Sequence, residues 1–178
     1  MAVTLETERL VLRMFETADF EAYAAMCGDP EVMRFIGDGQ PLAPPMAWRS
    51  LAMVIGHWSL RGYGLWAATE RASGALVGRI GFWNPDGWPG FELGWLLGRL
   101  YWGRGYATEA ARAALDWGFA QLGQPQVISL IYPDNAASIR VASRLGETLA
   151  DRIELLGKPV LLYRITRDEW AKGAAACR

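Results

Sequence analysis

Trp102-Gly103-Arg104-Gly105-Tyr106-Ala107-Thr108-Glu109-Ala110 is the stretch whose reading decides the fold. It lies inside a longer run from Leu96 to Leu122. Phe91-Glu92-Leu93-Gly94-Trp95-Leu96-Leu97 comes before it, an apolar run with the length of a strand. Beyond it, Ala107, Ala110, Ala111, Ala114, Leu115, Gly118, Phe119 and Leu122 fall at the i, i+3, i+4, i+7 intervals of a helix with one buried face. The glycines therefore occupy a strand-to-helix turn. The first amides of such a helix have no backbone partners, and the helix dipole adds partial positive charge there. Both effects favour a phosphate or pyrophosphate. Gly103 and Gly105 let the backbone approach such a ligand, because no Cβ intervenes. The G-x-G-x-x-G dinucleotide pattern is absent, since Ala107 and Thr108 follow Gly105 and Tyr106. A P-loop is absent too, because no Gly-Lys-Ser or Gly-Lys-Thr follows. The turn predicts a phosphate site of another type.

Composition narrows the class. The chain has 178 residues, enough for one domain with a sizeable core, and 52% of them are apolar. We expect a single domain over 1–178, with its core at about 5–168 and a frayed tail over 171–178. The net charge of -1 argues against a nucleic-acid partner, which wants a basic face. No apolar run approaches the roughly 20 residues that span a bilayer, so no membrane partner is expected. Met1 to Glu6 has neither the basic nor the apolar part of a signal peptide. Cys27 and Cys177 make no disulfide framework. Together these predict a cytoplasmic protein, monomer or homodimer. The nine tryptophans are read mainly as core, with some left for a pocket or a subunit contact.

The rest of the chain fits an α/β order. Leu5 to Met14 predicts a strand. A helix capped by Thr17 buries Phe20, Tyr23, Ala24 and Cys27 and stops at Gly28-Asp29-Pro30. Glu31 to Ile36 is a helical turn, and Gly37 to Pro45 a loop. Met46 to Leu60 predicts a helix with Trp48, Leu51, Ile55 and Trp58 inward. Leu65–Thr69 and Leu76–Trp83 are strands, Asn84–Gly90 a loop, and Val127–Tyr132 a strand. Ile139 to Leu145 is a short helix ending at Gly146. Thr148–Leu155 and Val160–Thr166 close the chain as a hairpin. The crossover from the Leu93 strand through the long helix makes the Val127 strand its parallel neighbour.

Asp134-Asn135-Ala136-Ala137-Ser138-Ile139-Arg140-Val141-Ala142-Ser143-Arg144-Leu145-Gly146 supplies a second signature. With it, the chain resembles the GNAT superfamily of acetyl-coenzyme A-dependent N-acetyltransferases. Trp102 to Ala107 is similar to that family's pyrophosphate turn. Asn135, Ser138, Arg144 and Gly146 match its Asn-x-x-Ser-x-x-x-x-x-(Lys/Arg)-x-Gly motif. Leu5 to Arg13 and Arg167-Asp168-Glu169-Trp170 look like the RimJ/RimL branch, which includes enzymes acetylating the N-terminal amine of ribosomal proteins.

The resemblance implies a mixed sheet of about seven mostly antiparallel strands with one splayed parallel pair, and about four helices. It implies that the amides of Arg104, Gly105, Tyr106, Ala107 and Thr108 bind the pyrophosphate of acetyl-CoA. It implies that the backbone of Trp95, Leu96 and Leu97 holds the pantetheine arm where the parallel strands part. Asn135 contacts the pantetheine, and Ser138 lies near the thiol. The chain departs from the pattern twice. Trp102 stands at the usual Gln/Arg position, and Ala142 stands where many members carry a tyrosine general acid.

Acetylating an amine needs a neutral nucleophile, a base, an oxyanion donor and a donor for the leaving thiolate. A lysine-like amine titrates near ~10.4 and an α-amine near ~8, so the latter needs less help at neutral pH. Glu92 is the expected base: it shares a strand face with Gly94 and Leu96, and apolar surroundings raise a carboxyl's pKa. Its alternative is a solvated glutamate, or one paired with Arg79. Ser138 is the expected donor to the thiolate; its alternative is the N3 partner of an Asn135 cap. Tyr132 is a further possible acid. His57, the single histidine, is read as structural or solvated, and no metal set exists. Arg99, Arg104, Arg140 and Arg144 are candidates for the cofactor's phosphates. The loop 84–90 and the helix bearing Trp48 and Trp58 are expected to border the acceptor. Trp83 and Trp88 either line an aromatic pocket or pack in the core.

These readings give an N-acetyltransferase acting by direct transfer in a ternary complex, with a peptide or small-molecule amine as acceptor. A protein N-terminal α-amine comes first, and an aminoglycoside, polyamine or amino-acid derivative second. Asp38 is the only acid in 37–60, which argues against polycations. The rival classes are a non-catalytic coenzyme A-binding module and a nucleotide-binding protein.

Overall fold

The computed structural model describes residues 3–176. Its strands are β1 (Leu5–Glu6), β2 (Leu10–Arg13), β3 (Leu65–Glu70), β4 (Leu76–Trp83), β5 (Glu92–Leu97), β6 (Gln126–Ile131), β7 (Thr148–Leu155) and β8 (Lys158–Thr166). Its helices are α1 (Phe20–Gly28), α2 (Pro30–Met33), α3 (Pro44–Arg61), α4 (Tyr106–Gln121), α5 (Ala136–Leu145) and α6 (Arg167–Ala176). The strands form one sheet in the order β1-β2-β3-β4-β5-β6-β8-β7. Every pairing is antiparallel except β5 with β6. This is the expected mixed α/β architecture, with one more strand and two more helices.

The extra strand arises in the first ten residues. Leu5 to Met14 does not run straight through: the Thr7 amide donates to the Leu10 carbonyl and the Thr7 hydroxyl accepts the Leu10 amide, which turns the chain into a β1–β2 hairpin. Of the helices, α2 is a single turn. α6 runs through residues 171–176 of the tail expected to fray, residues 177–178 lie outside the described residues, and Thr166-x-x-Glu169 forms a capping box at the start of the helix. The Thr166 amide donates to Glu169 Oε2 (2.8 Å), and the Glu169 amide donates to Thr166 Oγ1 (3.3 Å). Trp170 Nε1 then pins α6 to Asp116 on α4 at 2.9 Å. Cys177 lies outside the described residues.

One cap and one helix start also differ from expectation. Thr17 does not cap α1; it opens a 3-10 turn, Thr17–Asp19, ahead of it. Asp19 accepts from the Glu16 amide and from both ends of the Arg13 guanidinium, each at 2.8 Å. α5 starts three residues earlier than its apolar pattern suggests, at the Asn135 cap.

The sheet separates two apolar layers. α4 covers one face: Ala107, Ala110, Ala111, Ala114, Leu115 and Phe119 meet Val77, Ile80, Phe82, Leu93 and Val127. The alanines let the helix backbone lie close to the strands. α1, α2 and α3 cover the other face: Tyr23, Met26, Cys27, Leu51 and Val54 meet Leu65, Ala67 and Leu96. The inward face of α3 is rotated from the expected one. Ala47, Leu51, Val54, His57 and Trp58 are buried, whereas Trp48 and Ile55 are 53% and 39% exposed. Trp48 packs edge-on against Phe20 instead.

β5 and β6 share one register pair, Glu92 with Ile128, and then part. The Ile128 amide donates to the Phe91 carbonyl at 3.0 Å. In a continued ladder the Leu93 carbonyl would accept the next β6 amide. It accepts the Ser129 hydroxyl at 2.9 Å instead. Ser129 Oγ also lies 3.0 Å from Oε1 of Glu147, a carboxyl only 4% exposed, whose other oxygen has no partner among the described residues. A hydroxyl has one proton to give. With that proton on Leu93, the second contact needs Glu147 protonated and donating. Its pKa agrees: burial first, and the charge of Glu92 last, push it to about 8 against a pull from Ser129.

The sign of the resulting pH dependence follows. The fold keeps a proton on Glu147 up to about pH 8, whereas the unfolded chain releases it near 4.5. Stability is therefore full below about 4.5 and declines as pH rises toward 8. Glu92, raised to about 7, adds to the slope below pH 7. Thermal melts of Glu147→Gln should show a flatter pH dependence, most clearly between pH 7 and 8, and a higher midpoint than the parent at pH 8. An unaltered slope would mean that Glu147 is ionised in the fold.

Candidate active site

A cleft of about 1040 Å³ opens where β5 and β6 separate. It runs from the first turn of α4 to the loops after α2 and β4.

At one end stands the glycine turn. Gly105 is the residue before α4, with φ +82, a conformation in which a side chain is strained. Among the described residues, the amides of residues 104–108 find no partner outside the helix. The Thr108 hydroxyl is buried and equally unpartnered. An orphaned hydroxyl beside free amides at a helix start is a donor set suited to a phosphate. The turn is rigid because the β1–β2 hairpin grips it. Glu109 accepts from the Thr7 hydroxyl (2.6 Å), the Arg9 amide (2.8 Å) and Arg9 Nε (2.7 Å). Arg9 Nη1 then donates to the Arg104 carbonyl at 2.9 Å. Arg140 and Arg144 also line the cleft. Arg104 lies over the Tyr101 ring. Arg99 does not reach the cleft, because it pairs with Asp29 at 3.1 Å.

The middle of the cleft is the parted strand edge. Trp95, Leu96 and Leu97 line it. Trp102 is more than a missing polar contact: its Nε1 donates to the Leu97 carbonyl at 2.8 Å, tying the turn to the end of β5. Asn135 caps α5 by accepting the Ser138 amide at 3.1 Å. Ser138 Oγ accepts from Trp95 Nε1 at 3.1 Å, which leaves its own proton free to donate. Ala142 is fully buried, and its carbonyl takes the Glu147 amide. Tyr132 is not free to act as an acid, since its hydroxyl donates to the Gly37 carbonyl at 2.7 Å.

Glu92 stands at the far end of that edge. Trp88 Nε1 donates to its Oε2 at 2.6 Å. Desolvation raises its pKa to about 7, against smaller pulls from Trp88, the Leu130 amide and Arg79. Arg79 thus influences it without forming an ion pair among the described residues. Trp83 and Trp88 both line this end, while His57 stacks behind Trp83 at 4.4 Å and stays outside the cleft. Burial, then Arg61, lowers the pKa of His57, so it is neutral near pH 7. α3 borders the cleft through Met46, Arg49, Ser50 and Met53 rather than Trp48 and Trp58. Trp58 belongs to the core and donates to the Leu65 carbonyl.

Sequence reasoning missed Ser129 and Glu147. Ser129 sits in a β-rich run, and Glu147 follows a helix-ending glycine, where a solvated strand start is the ordinary reading. No group of three or more His, Cys, Asp or Glu side chains suited to a metal comes together among the described residues. None of the described helices is long and apolar enough to cross a membrane.

Known proteins share this sequence and fold. The uncharacterized protein YkkB of Bacillus subtilis (strain 168) is 33% identical over 167 residues, covering 89% of this chain and 93% of that protein. The uncharacterized N-acetyltransferase p20 of Bacillus licheniformis is 31% identical, covering 80% of this chain and 81% of that protein. The crystal structure of the acetyltransferase from Agrobacterium tumefaciens C58 is 36% identical, with a TM-score of 0.83 over 93% of this chain and 95% of that one. RimJ of Mycobacterium smegmatis, solved in complex with CoA-disulfide, is 18% identical with a TM-score of 0.75 over 99% of this chain and 94% of that one, a likeness of fold alone. The model of the acetyltransferase (GNAT) domain matches residues 9–148. The chain therefore belongs to the GNAT family and is an N-acetyltransferase.

Proposed function

We propose that the protein transfers the acetyl group of acetyl-CoA directly to a primary amine. The observation that carries this reading is Glu92: a carboxyl titrating near neutrality at the point where β5 and β6 part, with unpaired amides at the other end of the same cleft. When bound, acetyl-CoA supplies an acetyl group activated as a thioester. The residues present suit it. The amides of Arg104 to Thr108 and the Thr108 hydroxyl hold the pyrophosphate. The open edge of Trp95 and Leu96, with Asn135, guides the pantetheine.

Glu92 takes the proton that the amine must shed, directly or through water. An amide of the parted β5 edge faces the developing oxyanion. The Ser138 hydroxyl, fixed by Trp95, donates toward the departing sulfur. Over the whole reaction an N–C bond forms, a C–S bond breaks, and the proton lost by the amine ends on the thiol. Cys27, at the cleft floor, is buried and its thiol is pushed up, so it is a poor nucleophile for an acyl-enzyme route.

The resemblance to the RimJ/RimL branch supports a peptide N-terminal α-amine as acceptor. The cationic lining of the cleft, Arg34, Arg49 and Arg79, favours a small amine that also carries an acid. A cytoplasmic location suits either.

Steady-state assays of thiol release test the scheme. The parent's kcat/KM should rise with pH through about 7, as Glu92 ionises. Glu92→Gln should lose that limb and lower kcat by roughly 10²- to 10⁴-fold, with CoA affinity intact by calorimetry. An active Glu92→Gln enzyme with the parent's pH profile would remove Glu92 from the role. Gly105→Ala, strained in a left-handed backbone by about 1–2 kcal/mol, relieves that strain by shifting the turn and should weaken CoA binding by up to about 30-fold. Unchanged affinity would displace the pyrophosphate from this turn.

A further inference from the structure

The middle of the cleft contains a guanidinium without an acidic partner among the described residues. Arg79 lies in the middle of β4, opposite Ala67 of β3 and Leu96 of β5. It is half-buried on the face covered by α1 and α3, and it lines the cleft. Among the described residues its side chain makes no ion pair and no hydrogen bond; the arginines that do pair with acids are Arg9, Arg13, Arg71 and Arg99. Its positive field is felt by Glu92 on one side and by Tyr23 and Cys27 of α1 on the other.

Taking a guanidinium partly out of water is unfavourable unless an anion meets it. The acids lining the same cleft do not provide one. Asp38 accepts from the Gln40 amide, Glu92 accepts from Trp88, and Glu31 is exposed. The cofactor's pyrophosphate has donors of its own in the free amides and the Thr108 hydroxyl at the start of α4. Arg34 and Arg49 add positive charge to the same cleft without a carboxylate partner among the described residues, so a polycation is disfavoured there. The anion that fits must arrive with the acceptor. A planar fork of donors suits a carboxylate.

Resting on the acetyltransferase reading above, we propose that Arg79 binds a carboxylate of the acceptor, and that the acceptor is a small amine of the amino-acid type rather than a peptide N-terminus.

The test compares acids with their amides. With acetyl-CoA, the parent enzyme is assayed on the common amino acids, β-alanine and 4-aminobutyrate, each beside its carboxamide, and on short peptides. The best acid should exceed its amide in kcat/KM by about 10- to 100-fold, mainly through KM. R79Q should collapse that gap by lowering the acid to the level of the amide, and R79K should restore part of it. Equal rates for acid and amide, a parallel loss on both in R79Q, or a preference for peptides would overturn the proposal. Should no amine be acetylated, the transferase reading fails. Calorimetry with the N-acetyl acids and N-acetyl amides in the presence of CoA then decides Arg79 separately. Acid-selective binding that R79Q abolishes supports the carboxylate site; equal or absent binding overturns it.

Discussion

Two strands that separate inside a protein must still satisfy their peptide groups, and this constraint governs the molecule. β5 and β6 hold one register pair, and their next ladder positions go to side chains. Ser129 takes the Leu93 carbonyl from one face of the sheet, backed by Glu147. On the other face, Glu92 feels the Leu130 amide. The opening is thus held by chemistry rather than left as a gap. The same substitution places two carboxyls on either side of the parted strands. Each is desolvated, and the charge of Glu92 raises the pKa of Glu147. Burial favours the protonated form of both, and ionising Glu92 makes Glu147 harder still to ionise.

The rest of the fold positions the two ends of that opening. The β1–β2 hairpin contributes little core, yet Thr7 and Arg9 converge on Glu109 and Arg104 and hold the glycine turn. Trp102 joins the turn to β5. Trp88 and Trp95 play similar parts elsewhere, each giving its indole proton to a polar atom of the cleft. Several of the tryptophans therefore act as rigid donors on large apolar bodies, a use to which no other side chain is as well suited.

What was legible in the sequence was what depends on short-range pattern. The helix after the glycine turn, its buried alanine face, the parallel crossover and the Asn135 cap are all written in local spacing. Glu92 was reachable by strand alternation. The misplaced features depend on tertiary partners. The inward face of α3 is set by the aromatic cluster around Trp66 and Trp83, so Trp48 and Ile55 turned outward although they are apolar. The grip of Glu109 on Arg9 spans 100 residues, and Glu147 reaches Ser129 only after α5 has crossed back over the sheet. Arg79 was visible as a strand arginine, but its want of an acidic partner is a property of three elements together.

Lys158 of β8 and Tyr132, just past β6, reach the same loop. Lys158 donates to the Asp38 carbonyl at 2.6 Å and Tyr132 to the Gly37 carbonyl at 2.7 Å, and both loop residues border the cleft. Neither bond is buried, so each contributes only on the order of 1 kcal/mol. Two exposed bonds fasten this rim, whereas continuous strand ladders fasten the sheet beneath it.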